Sequence, residues 1–344
     1  MNILTISGSP HVHDKDSVKK IMWTVVIAMI PMAVVSVLFF GWDALRVMAI
    51  SVIACVLLEW LIQKYLMKTP TTISDGSAVI TGLLLAFNVP SALDWWIIVI
   101  GAIIAIGVSK MSFGGLGKNP FNPALVGRVF LLVSFPQQMT TWPKAKVLLT
   151  ETIPQAVNNA TQAIADATTG ATPMEIITQG ISAGRDVSEV IAQLPTYAQS
   201  LIGQHGGSIG EMSVIAILLG GIFMLFRKVI TWHIPVSFLG TAFLFAAIMH
   251  WIDPTLYIPP MYHLIFGGML IGAIFMATDM VTSPMTPWGQ ILFGIGCGAL
   301  TMVIRLWGAY PEGVSFAILI MNAFVPLINK GFKPKRLGEV NVKQ

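Results

Sequence analysis

The chain has 344 residues, of which 55% are hydrophobic and only 10% charged, and its mean hydropathy is +0.77. These values lie outside the usual range of soluble globular proteins and indicate a polytopic membrane protein. The formal net charge of +4 is spread over short loops and the termini, which excludes a basic face for nucleic acid. The two cysteines, Cys55 and Cys297, lie inside apolar stretches, so we expect buried thiols and no disulfide framework.

Ten apolar segments of roughly membrane-spanning length follow one another along the chain. They lie near 18–40, 44–66, 77–90, 94–110, 122–136, 212–227, 233–251, 262–280, 288–306 and 312–328. The third and fifth are short, which favours helices that are tilted, broken or partly buried in protein. We therefore predict an all-α fold of about ten transmembrane helices.

The distribution of positive charge predicts the orientation, because cytoplasmic loops of membrane proteins are enriched in Lys and Arg. With the N-terminus in the cytoplasm, that side receives Lys15, Lys19, Lys20, Lys64, Lys68, Lys110, Lys118, Arg227, Lys228, Lys330, Lys333, Lys335, Arg336 and Lys343. The opposite side receives Arg46, Lys144, Lys146, Arg185 and Arg305, and Arg128 falls within a span. Both termini are thus predicted to be cytoplasmic, and the long polar loop extracytoplasmic.

The loop divides the chain into two halves of five spans, and an odd number forces the halves into opposite orientations. The predicted organisation is a cytoplasmic segment at 1–17, membrane repeats at 18–136 and 212–328, the extracytoplasmic loop at 137–211 and a basic cytoplasmic tail at 329–344. A weak similarity supports a repeat: Trp95-Trp96 opens a run ending at Lys110, and Trp288 opens a run ending at Arg305. Clustering of Gly and Trp at membrane interfaces is the alternative explanation.

Polar residues near the predicted cytoplasmic face form two groups. A glycine-rich loop over 113–123 contains Asn119 and Asn122 at the start of a span; it is either a tight turn or a site whose backbone N–H groups receive an anion or a ring edge. Asp279 lies in a second group of hydroxyl residues and prolines, either as a functional carboxylate or at a helix end near water.

Arg128 lies within a predicted span and must therefore be paired or reach a polar cavity. Glu59, in the second span, is a possible partner. The histidines lack the spacing of a metal site, so no metal is predicted.

The long loop contains Asp166-Ala167-Thr168-Thr169-Gly170-Ala171-Thr172. The Thr172 hydroxyl follows two small residues, so it is open to a bulky phosphate group. By itself, however, this stretch also fits an ordinary Ala/Thr-rich loop.

Several motifs together resemble the family of D subunits of Rnf complexes, which is related to the B subunits of sodium-pumping NADH:quinone oxidoreductases. They are Ser9-Pro10-His11, Ser17-Val18-Lys19-Lys20, Asp75-Gly76-Ser77-Ala78-Val79, Phe113-Gly114-Gly115-Leu116-Gly117, Phe121-Asn122-Pro123-Ala124 and Thr278-Asp279 with Pro284 and Thr286-Pro287. The resemblance covers nearly the whole chain. The quinone-reducing relatives carry a longer N-terminal extension, which favours the Rnf group.

The resemblance implies a covalent flavin. The family's attachment signature is matched at each fixed position, by Asp166, Thr169, Gly170, Ala171 and Thr172. It implies that a flavin transferase esterifies FMN through its phosphate to the Thr172 hydroxyl. It also implies a noncovalent riboflavin in the membrane part. Asn119, Asn122, Arg128 and Asp279 are physical candidates for that flavin or for an ion pathway.

The function implied is electron transfer in an ion-translocating ferredoxin:NAD oxidoreductase of the bacterial inner membrane, coupled to Na⁺ or H⁺. The implied partners are the A, B, C, E and G subunits of the Rnf complex, the flavin transferase and membrane lipid. A channel or facilitator built from the repeat, a scaffold with a vestigial flavin and a B subunit of the quinone-reducing pump are the alternatives.

Overall fold

The computed structural model describes residues 17–143, 171–203, 206–308, 310 and 312–333, and the regular elements in these ranges are helical. Within these ranges, six helices are long and apolar enough to cross a membrane, and three shorter apolar helices accompany them. The prediction of an all-α polytopic membrane protein is confirmed. Asp166, Thr169 and Gly170 lie outside the described residues, as do the segments 1–16 and 334–344.

The first half forms five helical segments. They are α1 (Val18–Phe40), α2 (Trp42–Leu61, extended by the π-helical Ile62–Met67), α3 (Ser77–Phe87), α4 (Trp95–Ala102, extended by the π-helical Ile103–Lys110) and α5 (Pro123–Ser134). The Ser17 hydroxyl caps α1 by accepting from the Lys20 N–H at 3.2 Å. Asn122 caps α5, with Pro123 at its first position. The third and fifth segments are short helices, as their sequence predicted.

In the described part of the segment between the halves lie four short helices, namely α6 (Pro136–Met139), α7 (Pro173–Ser182), α8 (Val187–Ala192) and α9 (Tyr197–Ile202). Met174 and Ile177 of α7 and Val190 of α8 share a small hydrophobic cluster with Tyr262 and Phe266 from the second half. This cluster anchors the described part of the long loop to the helices of the membrane region.

The second half consists of α10 (Val214–Phe226), α11 (His233–Ile252), α12 (Pro260–Ile265), α13 (Met269–Ile271, extended by the π-helical Gly272–Met276), α14 (Pro287–Trp307) and α15 (Val314–Gly331). The eighth segment was predicted as a single span over 262–280. That prediction is wrong, because the helix is interrupted between α12 and α13. Gly267 and Gly268 have φ of +75° and +65°, a left-handed conformation that ends a helix.

The two halves share one pattern of neighbours. In the first, α2 packs against α3 and α4, and α4 against α5; in the second, α11 packs against α12 and α14, and α14 against α15. The halves join where α1 packs on α10 and α5 on α15. The approach of α1 to α10 is close, since a Cβ on Gly220 would collide with the Ala28 carbonyl oxygen. Small residues at such crossings let helix backbones approach in a membrane.

The cysteine prediction is also confirmed, because Cys55 and Cys297 are both free and fully buried. Cys55 belongs to α2 and Cys297 to α14, within the main hydrophobic core.

Candidate functional site

Two cavities lie at opposite ends of α5. Asn122 and Pro123, at the N-terminal end of this helix, border one cavity, and Arg128, Val129 and Leu132 border the other. We call them the Asn119 cavity and the Thr172 cavity after the residues discussed below. A single short helix therefore connects the two places where the predicted site residues gather.

The Thr172 cavity has a volume of about 330 Å³. Thr172 is only 4% exposed and is the N-cap of α7, where its Oγ accepts from the Glu175 N–H at 3.1 Å. The rest of the wall combines aromatic and polar side chains, among them Trp142, Glu175, Thr178, Tyr310, Glu312 and Phe316. The rings of Tyr310 and Phe316 stack with centroids 5.1 Å apart. The cavity is thus bordered by a hydroxyl at the start of a helix and by a pair of stacked aromatic rings.

Arg128 forms the inner wall of the same cavity. Its guanidinium makes an ion pair with the Glu312 carboxylate, and it donates to the Ser315 hydroxyl and to the Asn88 carbonyl, the last at 3.2 Å. Arg128 is therefore paired, as its position within a span required. The prediction that Glu59 is its partner is wrong. The partner comes from the second half of the chain, which local sequence could not indicate.

Glu59 instead pairs with Lys110, and both side chains are almost completely buried. The Lys110 Nζ lies 2.7 Å from Glu59 Oε2 and 2.7 Å from Ser77 Oγ. Gln63, one turn after Glu59, donates to its other carboxylate oxygen at 3.3 Å. The charge count assigned Lys110 to the cytoplasmic side. Its side chain is instead part of a buried network of α2, α3 and α4.

The Asn119 cavity is smaller, about 90 Å³, and Lys110, Asn119, Asn122, Thr278 and Asp279 are among its lining residues. Asn119 Nδ2 donates to the Phe121 carbonyl at 3.0 Å, but its buried Oδ1 has no hydrogen-bond partner among the residues that the structure describes. A buried polar atom without a partner is costly, and Asn119 also lines the cavity, so its unpaired acceptor indicates a site for a donor group of a ligand.

The other polar residues of this cavity are held in place. Asn122 Nδ2 donates to the Met276 carbonyl at 3.2 Å, and so links α5 to the end of the π-helical extension of α13. Asp279 accepts from the Thr282 hydroxyl at 3.0 Å. In the preceding loop, Gly114 and Gly115 have φ of +101° and +94°, as expected of a tight turn.

The four candidates for a second flavin or ion pathway therefore separate into two groups. Asn119, Asn122 and Asp279 border one cavity, whereas Arg128 borders the other with Thr172. Ala171 is exposed beside Thr172. Sequence reasoning missed Glu312, which has no motif around it. It also counted Arg305 among the extracytoplasmic charges at the end of a span, although Arg305 is buried and donates to the carbonyls of Phe266 and Gly267 at the break of the eighth segment.

The comparisons with known proteins agree along the whole chain. Residues 5–338 match the family described as NQR2, RnfD, RnfE. The chain is 44% identical to the D subunit of the proton-translocating ferredoxin:NAD⁺ oxidoreductase complex of Clostridium ljungdahlii, over 98% of this chain and 97% of that protein. It is 41% identical to the D subunit of the Na⁺-translocating ferredoxin:NAD⁺ oxidoreductase complex of Acetobacterium woodii, over 99% and 97%. It is 40% identical to the D subunit of the ion-translocating oxidoreductase complex of Stutzerimonas stutzeri, over 94% and 93%.

Proposed function

The chain belongs to the NQR2, RnfD, RnfE family, and from that membership we propose that it is the flavin-carrying membrane subunit of an ion-translocating ferredoxin:NAD oxidoreductase. The observation that carries the proposal is the pair of cavities at the two ends of α5, one of them bordered by Thr172. The proposed reaction of the whole complex is taken from the relatives that are described as D subunits of ferredoxin:NAD⁺ oxidoreductase complexes.

FMN would be held at Thr172 through an ester of its phosphate. Support comes from the position of the hydroxyl at the first turn of the ten-residue α7, where backbone N–H groups and the helix dipole favour a phosphate. The stacked rings of Tyr310 and Phe316 offer the cavity a flat surface on which a flavin ring could pack. The flavin would supply the electron-transfer chemistry, while the protein fixes its position and environment.

Riboflavin would bind without a covalent bond at the Asn119 cavity, which would have to widen beyond its present volume of about 90 Å³ to enclose the ring system. The open Asn119 Oδ1 suits a ring N–H or a ribityl hydroxyl as donor, and Asp279 suits a second hydroxyl.

The geometry of α5 supports electron transfer between the two sites. Pro123 borders the Asn119 cavity and Arg128 the Thr172 cavity, and five residues of helix rise only about 8 Å. This separation is short enough for electrons to tunnel. With the Thr172 end extracytoplasmic, transfer between the two flavins would carry electrons part of the way across the membrane towards the cytoplasmic NAD site, coupled to Na⁺ or H⁺ movement. Partner subunits and a flavin transferase would complete the assembly.

The experiment coexpresses the full-length chain with a flavin transferase and examines the denatured protein for in-gel fluorescence and intact mass. We expect the mass of one FMN phosphoester in the wild type and none in Thr172→Ala. Thr178→Ala is the matched control, because Thr178 lines the same cavity but its hydroxyl donates to the Met174 carbonyl. Fluorescence that persists in Thr172→Ala would show that the flavin is attached elsewhere.

A further inference from the structure

The wall of the Thr172 cavity contains an ion pair of a buried arginine and a largely buried glutamate. Arg128 is 6% exposed, and the Glu312 side chain is 14% exposed. Both line the cavity together with Thr172 and the stacked pair of Tyr310 and Phe316. The two charges therefore face the space in which the proposed function puts the flavin ring.

The position of the guanidinium is fixed from three elements. It pairs with Glu312, just before α15, donates to Ser315 in the first turn of α15, and donates to the Asn88 carbonyl at the end of α3. Glu312 is itself held, because its backbone carbonyl accepts from the Arg305 Nε at 3.2 Å. A charge held by this many partners keeps its orientation when the charge of a neighbour changes.

The reduction of a flavin changes the charge of its ring. A reduction that adds two electrons and one proton leaves one additional negative charge on the ring. A cation near the ring stabilises that product and raises the reduction potential, whereas a carboxylate nearby lowers it. Charges count more here than in water because the cavity is lined by protein and the interior dielectric is low.

Resting on the proposed function, we propose that Arg128 and Glu312 together set the reduction potential of the flavin at Thr172. Arg128 raises the potential by stabilising the reduced ring, and Glu312 lowers it by partly neutralising Arg128. The Thr172 hydroxyl has its capping bond to the Glu175 N–H, so the attachment point is separate from this ion pair. Arg128 and Glu312 are potential-setting residues.

The test measures the midpoint potential of the covalent flavin in the purified full-length chain, by a dithionite titration followed through the flavin absorbance. Subtracting the titration of Thr172→Ala isolates this flavin from any noncovalent one. We expect a lower potential in Arg128→Gln, a higher one in Glu312→Gln, and a value close to that of the wild type in Arg128→Lys, which keeps the charge.

Arg185→Gln is the matched control, since it removes the same charge from an exposed site between α7 and α8, away from the described wall of the cavity. We expect its potential to equal that of the wild type. If Arg128→Gln does not fold, Glu312→Gln still decides the matter, since a rise supports the inference and an unchanged potential overturns it.

The outcomes separate the two proposals. A wild-type chain without covalent flavin would overturn the proposed function and this inference with it. A loaded chain whose potential stays unchanged in Arg128→Gln and Glu312→Gln, or shifts in the same direction in both, would overturn only the inference. Loss of covalent flavin in Arg128→Gln and in Arg128→Lys alike would assign Arg128 to attachment and also overturn it.

Discussion

Lys110 and Arg305 hold corresponding positions in the two halves of the molecule. Each is a buried cation near the end of the fourth helix of its half, and each reaches the third segment of that half. Lys110 bonds to the Ser77 hydroxyl at the first residue of α3, and Arg305 to the Gly267 carbonyl before α13, at 2.7 Å in both cases. The two cations lie at opposite ends of the fold, since Lys110 borders the Asn119 cavity and Gly267 packs near Met174 of α7. The predicted inverted repeat would place two such cations in this way.

The ion pair between Lys110 and Glu59 predicts that replacing one partner costs more stability than replacing both. Lys110→Met leaves the Glu59 carboxylate buried without its cation, so we expect a loss of about 3–5 kcal/mol. Lys110→Met combined with Glu59→Leu removes both charges and should recover most of that loss. The measurement is the unfolding temperature of the purified chain in detergent. Lys118→Ala, at an exposed site of the next loop, is the control. A double variant no more stable than Lys110→Met would contradict this view of the pair.

The break of the eighth segment predicts that Gly267 cannot be replaced. Its φ of +75° costs an L-residue about 1–2 kcal/mol. A Cβ would in addition lie 2.6 Å from Arg305 Nη2 and 2.8 Å from Met174 Cγ. Gly267→Ala should therefore lower the unfolding temperature in detergent.

Gly240→Ala is the matched control for Gly267→Ala. Gly240 lies inside α11, and no described atom is within 4 Å of an added Cβ. Because alanine is the better helix former by about 1 kcal/mol, this variant should be as stable as the wild type or more so. If both substitutions changed the unfolding temperature equally, the helix break at Gly267 would not explain the effect of Gly267→Ala.

The open Asn119 Oδ1 predicts a role in retaining noncovalent flavin. Asn119→Ala should weaken riboflavin binding by about tenfold, the effect of one lost hydrogen bond of about 1.4 kcal/mol. The measurement is the flavin released by acid from the purified chain after washing, identified by chromatography. Lys118→Ala, next in the chain but exposed and outside the described cavity wall, should retain it. Unchanged riboflavin in Asn119→Ala would place that flavin elsewhere.

The orientation deduced from the positive charges predicts which end of the molecule is accessible from outside the cell. Ser182→Cys, at the exposed end of α7, should react with a membrane-impermeant maleimide in spheroplasts. Ser112→Cys, exposed in the turn after α4, should react only in inverted vesicles. The native Cys55 and Cys297 are buried and should give little background. The reverse pattern of labelling would invert the proposed direction of electron transfer.

Sequence reasoning was most reliable where the signal is local. The ten apolar segments, the short third and fifth helices and the N-cap at Asn122 depend on residues that are neighbours in the chain, and the structure has helices in each segment. It was least reliable in predicting which charged residues form ion pairs. Glu59 and Arg128 were paired because they were the visible opposite charges, but ion pairing depends on a distance of a few ångströms that segment order does not give.

The linear chain was enough to indicate an all-α polytopic membrane protein, because hydropathy is a property of residue order; a flavin ester at Thr172 is what the family resemblance implies and stays a prediction. The packing of the helices was needed to show that Arg128 belongs with Thr172 and Glu312, and that Asn119, Asn122 and Asp279 belong together at the other end of α5. The reason is physical: the partners of a buried charge come from whichever helices pack against it, and here those helices come from opposite halves of the chain.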